Sequence, residues 1–220
     1  MGSVHLAGEE RGHSRAHAFA EVVREVHHRY ATDVVGAYAL CPHMKDPQKA
    51  FGRFCVMLTR RLDVDAAVAE VLAAAGEVTH LVYPLLEVDC TPFERFGSAV
   101  HEALAKTGRE APVHATFHPQ MEGDLESASR FVGFVRRAPD PFLQFVPSGL
   151  QPGGTQYVDL STIDWETFVP PAAPRADRSF DRLGAAGRER IRDAIVGIQE
   201  ERRTRYAAFG WAGASPLSGA

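Results

Sequence analysis

The side chains best placed for chemistry in this sequence are His118, Asp89 and Arg137, with Cys41 and His43 as a second set. An apolar run, Ala111 to Phe117, ends at His118-Pro119. An acidic loop with Glu122, Asp124 and Glu126 follows, and then Arg136-Arg137-Ala-Pro139-Asp-Pro141. A buried strand that delivers an imidazole, then carboxylates, then a guanidinium pair, is a candidate wall of a ligand site. In this reading His118 is the acid/base or a metal ligand, Asp89 orients it, and Arg137 holds an anionic group. His118 as a hydrogen-bonded structural histidine is the competing reading, and an ion pair with the loop carboxylates is the competing role for Arg137.

Cys41 precedes Pro42 and continues the apolar phase of the helix before it (Tyr30, Val34, Ala37). As a nucleophile it is handicapped, because the dipole at a helix carboxyl end disfavours a thiolate. It would need His43 or His118 beside it. A Cys-Pro thiolate is also a haem-iron ligand in regulatory motifs, so Cys41, His43 and His118 form a candidate metal or haem set. A buried structural cysteine is the simplest account of Cys41. His114 and His118 share a strand face but stand about 13 Å apart by strand rise, too far for one metal. His118 joined by Glu87, Asp89 or Cys90 would suit zinc or iron. His13 and His17 are spaced for one helix face, but at a helix start expected to fray, and are read as solvent-facing.

The elements that must position these groups follow from periodicity. Phe19, Val22, Val23, Val26, Tyr30, Val34 and Ala37 predict a first helix over about 15–40, closed by Pro42. Residues 51–59 alternate Phe54, Val56 and Leu58 against Cys55 and Met57, a strand apolar on both faces. Asp63 caps a helix with an inner stripe of Val64, Val68, Val71, Leu72 and Ala75, stopped by Gly76. A second strand covers 78–86. Thr91, Pro92 and Glu94 read as a capping box opening a helix that buries Phe93, Phe96, Val100 and Leu104 and ends at Gly108. The third strand is 112–117. Strands separated by single helices are expected to be parallel with right-handed crossovers. Their carboxyl ends bring together Arg60, Arg61, Glu87, Asp89, Cys90, His118 and Glu122, and in open parallel sheets ligands bind beyond that edge. The plainer view is that edge loops are polar because they face water.

Beyond His118 the pattern is less regular. Phe131–Val135 reads as a strand or a turn of helix, and Asp140-Pro141 as the start of a short helix. Residues 151–169 are apolar enough to pack on the core, and 170–174 read as a proline-rich spacer. A last helix over about 181–209 buries Ile191, Ala194, Ile195 and Ile198. Arg202, Arg205 and Tyr206 continue that stripe as snorkelling side chains.

A chain of 220 residues suffices for one core. The expected fold is a single α/β domain over 14–210: a small sheet with a parallel βαβαβ unit, flanked by long terminal helices. Residues 1–13 and 211–220 are expected to be flexible. The net charge of −4 argues against a general nucleic-acid binder. No apolar run is long enough to span a membrane, and Met1-Gly-Ser-Val-His lacks the form of a signal peptide. Three cysteines in unrelated contexts fit a reducing cytoplasm.

Five short motifs, in order, resemble a bacterial family named as domain of unknown function 1415. They are Val35-Gly-Ala-Tyr-Ala-Leu-Cys41-Pro42, Phe51-Gly-Arg-Phe54, His80-Leu-Val-Tyr-Pro84, Ala115-Thr-Phe-His118-Pro119 and Arg137-Ala-Pro139-Asp-Pro141-Phe-Leu143. The resemblance covers roughly residues 20–146, with a weaker echo in the last helix. The chain departs from it at His43, where the family carries Phe, and at Gln144, where the family carries His. The resemblance implies no reaction. The leading expectation is a cytoplasmic enzyme of unassigned reaction, with a small-molecule ligand and a polar His/Asp/Arg site at the carboxyl edge. The alternative is a non-catalytic haem- or metal-binding or adaptor module using Cys41 and His118.

Overall fold

The computed structural model describes residues 4–38, 40, 52–74, 77–108, 110–148 and 176–210. The elements are β1 (His5–Ala7), α1 (Ala16–Tyr30), β2 (Arg53–Met57), α2 (Val64–Ala73) and β3 (Thr79–Val82). They continue with α3 (Cys90–Ala105), β4 (Val113–Phe117), α4 (Ala128–Val135), β5 (Phe142–Val146) and α5 (Ala176–Ala207). A 3-10 turn (Glu9–Gly12) precedes α1, and a π-helical turn (Ala31–Gly36) extends it.

The strands form one sheet in the order β1-β2-β3-β5-β4. β1, β2 and β3 are parallel neighbours, and β5 runs antiparallel to both β3 and β4. β4 therefore points the same way as β2 and β3, as a βαβαβ reading requires, but β5 is inserted between β3 and β4. The fold is α/β with a mixed sheet. Alternation along β2 divides the core as expected. Phe54, Val56 and Leu58 face α1, α4 and α5, while Cys55 and Met57 face α2 and α3.

Three local expectations need correction. Residues 5–7, within the 1–13 stretch expected to be flexible, are a paired edge strand: His5 to Ala7 lie in register with Cys55 to Met57. α3 begins at Cys90, with Asp89 as N-cap and no side-chain cap bond, so the Thr91 capping box does not form. The segment after Asp140 is a strand, not a short helix. Its cause is the pair Pro139 and Pro141, because a residue before proline avoids the helical region. Ala138 and Asp140 both precede prolines, so the chain enters β5 extended. Asp63 does cap α2, its Oδ1 accepting from the Ala66 amide at 2.9 Å. α5 is interrupted at Gly184, whose backbone (φ 59°, ψ 178°) is not helical. Among the described residues, no helix is long and apolar enough to cross a membrane. The expectations for 151–169, 170–174 and 211–220 lie outside the described residues.

Candidate functional site

His118 leaves the end of β4 into the core, with only 1% of its surface exposed. Its Nδ1 accepts from the Gln120 amide at 3.1 Å, and its Nε2 lies 2.9 Å from the Val88 carbonyl. An amide can only donate and a carbonyl can only accept. The proton therefore sits on Nε2, and both ring nitrogens are committed. Burial lowers the pKa of His118, and the Val88 carbonyl and Asp89 only partly oppose it. A neutral, enclosed imidazole with no free lone pair is neither a ready acid/base nor a ready metal ligand. Asp89 is nearby in the chain, one residue beyond Val88, but it is exposed at the start of α3.

Arg137 is committed as well. Its Nε donates to the Met121 carbonyl at 2.9 Å and its Nη2 to that of Gly123 at 3.0 Å, with the guanidinium 4.8 Å over the Phe134 ring. It pins the loop after β4 to α4 instead of pairing with the loop carboxylates. Asp124 pairs with Arg130 at 2.8 Å. The loop lies so close that a Cβ on Gly133 would sit 1.8 Å from the Glu122 carbonyl oxygen, and one on Gly123 2.1 Å from the Phe134 nitrogen.

Cys90 has its Sγ 3.7 Å from the Met121 sulfur, and burial, with Glu94 and Glu122, pushes its pKa up to about 11. Cys55 is fully buried and pushed up to about 12, by burial first and then Glu70. Neither is an activated thiol. Cys41 and His43 lie outside the described residues. Among the described residues, no group of three His, Cys, Asp or Glu side chains is arranged to hold a metal. An open groove of about 160 Å³ lies at the opposite, amino edge, where Val71, Leu104, Pro112 and Phe145 line it with Glu77 and Glu110.

The carboxyl edge does hold a polar centre, built from other residues. Asp140, between its two prolines at the entry to β5, is fully buried. The Nε of Arg202 donates to Oδ1 at 2.6 Å, while the Tyr206 hydroxyl at 2.7 Å and His27 Nε2 at 3.0 Å share Oδ2. Burial alone would raise the carboxyl pKa. Arg202, helped by His27 and Tyr206, outweighs it and holds Asp140 at about 2. The carboxylate is thus ionised at neutral pH, which fixes the His27 proton on Nε2. Arg202 Nη2 reaches the Pro84 carbonyl at 3.2 Å, just past the end of β3, and the guanidinium lies 4.6 Å over the Tyr206 ring.

His27 belongs to α1 and the two other donors to α5, one helical turn apart, so both terminal helices converge on one carboxylate. The His27 ring is wedged edge-on between Phe54 (5.7 Å) and Phe142 (5.5 Å). Beyond Phe142 a second polar pair, His80 Nε2 and Gln144 Nε2 at 2.9 Å, spans β3 and β5. Sequence reasoning missed this centre, although a signal was present. His27 sits among buried positions of α1, and Arg202 and Tyr206 lie on the inward stripe of α5. A cation on a buried stripe requires an anion opposite.

No protein-family model matches the chain, and no curated protein or solved structure matches it.

Proposed function

We propose that the protein is an enzyme whose working centre is Asp140, His27, Arg202 and Tyr206, in place of the His118, Asp89 and Arg137 set. One observation carries this reading: a fully buried, ionised carboxylate at the carboxyl edge of the sheet gathers three side-chain donors from both terminal helices. Apolar packing would stabilise the same space at least as well as a buried ion pair, and strongly perturbed titratable groups concentrate at functional sites. The roles follow from chemistry. Asp140 fixes the ring and tautomer of His27, leaving Nδ1 as the basic atom. Arg202 supplies a fixed positive charge and Tyr206 a hydroxyl, a division of labour suited to acid–base work on a small polar molecule.

A cytoplasmic setting, without nucleic acid or membrane as partner, accompanies this reading on composition alone. We also place the chain beside the domain of unknown function 1415 family on motif order, a placement that supplies no reaction. The haem- or metal-binding alternative loses support, since both ring nitrogens of His118 are taken.

A second reading has its own observation. With Asp140 at 0% and His27 at 3% exposure, the cluster also suits a clamp that ties the terminal helices to the sheet. Tyr206→Phe separates the two. Thermal shift against a panel of small carboxylates, phosphates and amides identifies compounds that raise the melting temperature of the wild type. The enzyme reading expects such a compound to lose its effect in Tyr206→Phe and in His27→Gln. Equal shifts in all three proteins, or no binder in the panel, would leave the clamp as the better account.

A further inference from the structure

We propose that His101 of α3 and His114 of β4 form a two-histidine site for a divalent transition metal, apart from the Asp140 centre. The two rings lie with centroids 4.6 Å apart and planes inclined by 29°. Among the described residues no nitrogen of either ring has a hydrogen-bond partner, in contrast to His27 and His118. Both side chains are half-buried, so water and ions reach them.

The approach of helix to strand is built for this pair. Gly97, one turn before His101, packs where a Cβ would stand 2.8 Å from Thr116 Oγ1 and 2.9 Å from Leu143 Cδ2, on the same face as His114. Without a glycine there α3 would stand off from β4 and the imidazoles would part. Phe145, stacked on the other side of His114 at 6.3 Å, backs the ring.

Metal–nitrogen bonds of about 2.0–2.1 Å place two nitrogens on one tetrahedral ion roughly 3.4 Å apart. With centroids 4.6 Å apart the two rings are close enough for side-chain rotation to offer both to one ion, and among the described residues neither has a hydrogen bond to give up. Burial first, then His101 and Arg136, lowers the pKa of His114 and keeps it in the neutral form that binds metals. Among the described residues no third protein ligand stands beside the two imidazoles, and water would complete the shell there. The class of ion is therefore one that favours nitrogen, such as Ni²⁺, Cu²⁺ or Zn²⁺, and not Mg²⁺ or Ca²⁺.

The test uses full-length, tag-free protein stripped with a chelator and titrated with Ni²⁺ by calorimetry. The competing pair is His13 and His17, which are exposed near the start of α1. The expected result is one equivalent bound, weakened about tenfold or more in His101→Gln and in His114→Gln and unchanged in His17→Gln. Because the variants perturb a helix–strand contact, the wild type is also followed by NMR. Ni²⁺ should selectively broaden the ring signals of His101 and His114. No Ni²⁺ binding, loss only in His17→Gln, or broadening confined to His13 and His17 would overturn the proposal.

Discussion

Replacing Asp140 by Asn keeps the shape of the buried centre and removes its charge, so it isolates what the ion pair contributes. Arg202 would be left as a cation that is largely enclosed, and breaking a buried pair by removing one partner costs about 3–5 kcal/mol. That is a large part of the roughly 5–15 kcal/mol that stabilises a typical domain. The dependence on pH gives a second, independent handle. Folding holds the Asp140 carboxyl at about 2 against its ordinary 3.8. The unfolded chain thus takes up the proton first as pH falls. The stabilisation is complete above the unfolded value, near pH 4 to 5, and is lost as pH drops through about 2. Its full size is roughly 2 kcal/mol, of which about 1 kcal/mol has gone by pH 3. Urea unfolding of wild type and Asp140→Asn, followed by far-ultraviolet circular dichroism, should show a gap of about 3–5 kcal/mol at pH 7. The gap should narrow by about 1 kcal/mol at pH 3. A gap below about 1 kcal/mol at pH 7, or one that is constant from pH 7 to 3, would refute an ionised, paired Asp140.

His118→Ala should lower stability by about 2–4 kcal/mol, since it removes two hydrogen bonds and leaves a cavity against Phe93; a loss under about 1 kcal/mol would contradict the enclosed ring. Folding lowers the His118 pKa, so its contribution is present above pH 6.5 and lost as pH falls below it; in chemical denaturation that part of the slope should vanish in His118→Gln. Gly133→Ala should cost at least about 1–3 kcal/mol by forcing the Glu122 loop off α4, and a neutral result in thermal melts would show that the loop yields freely. Mass spectrometry after thiol labelling at pH 7 should find Cys90 modified slowly and Cys55 only on unfolding; rapid native labelling of Cys55 would contradict its burial.

What the sequence made legible was local. The two-sided strand at Phe54–Leu58, the Asp63 cap and the Phe93, Phe96, Val100, Leu104 stripe each depend on residues within a few positions of one another, and each is present. Three features depend on distant partners and were not legible. β1 is three residues long and carries no alternation of its own; only β2 makes it a strand. β5 was obscured by prolines that look like helix punctuation and in fact straighten its entry. Its place between β3 and β4 is a choice of neighbour that no local pattern encodes.

The candidate site divided in the same way. A buried polar cluster does lie at the carboxyl edge, but His118 and Arg137 are absorbed by backbone groups of Val88, Gln120, Met121 and Gly123, none of which a side-chain pattern can display. Arg202 and Tyr206 were noticed on an inward stripe and explained by snorkelling, because Asp140, some sixty residues earlier, was not recognised as their partner.

That separation along the chain constrains how the protein can be made. During synthesis His27 emerges early, Asp140 much later, and Arg202 and Tyr206 near the end of the described chain. Until the ribosome has passed Arg202, Asp140 has only His27 and water for company, and β3 also waits for β5 before it gains its second neighbour. The carboxylate cannot be sealed into the core without its cation except at a heavy electrostatic cost. The domain is therefore disposed to close late, with the docking of α5 as the step that locks the sheet to both of its terminal helices. A chain truncated before Arg202 should keep its α1–sheet face open to protease, and the chain that includes Arg202 and Tyr206 should close it once free of the ribosome.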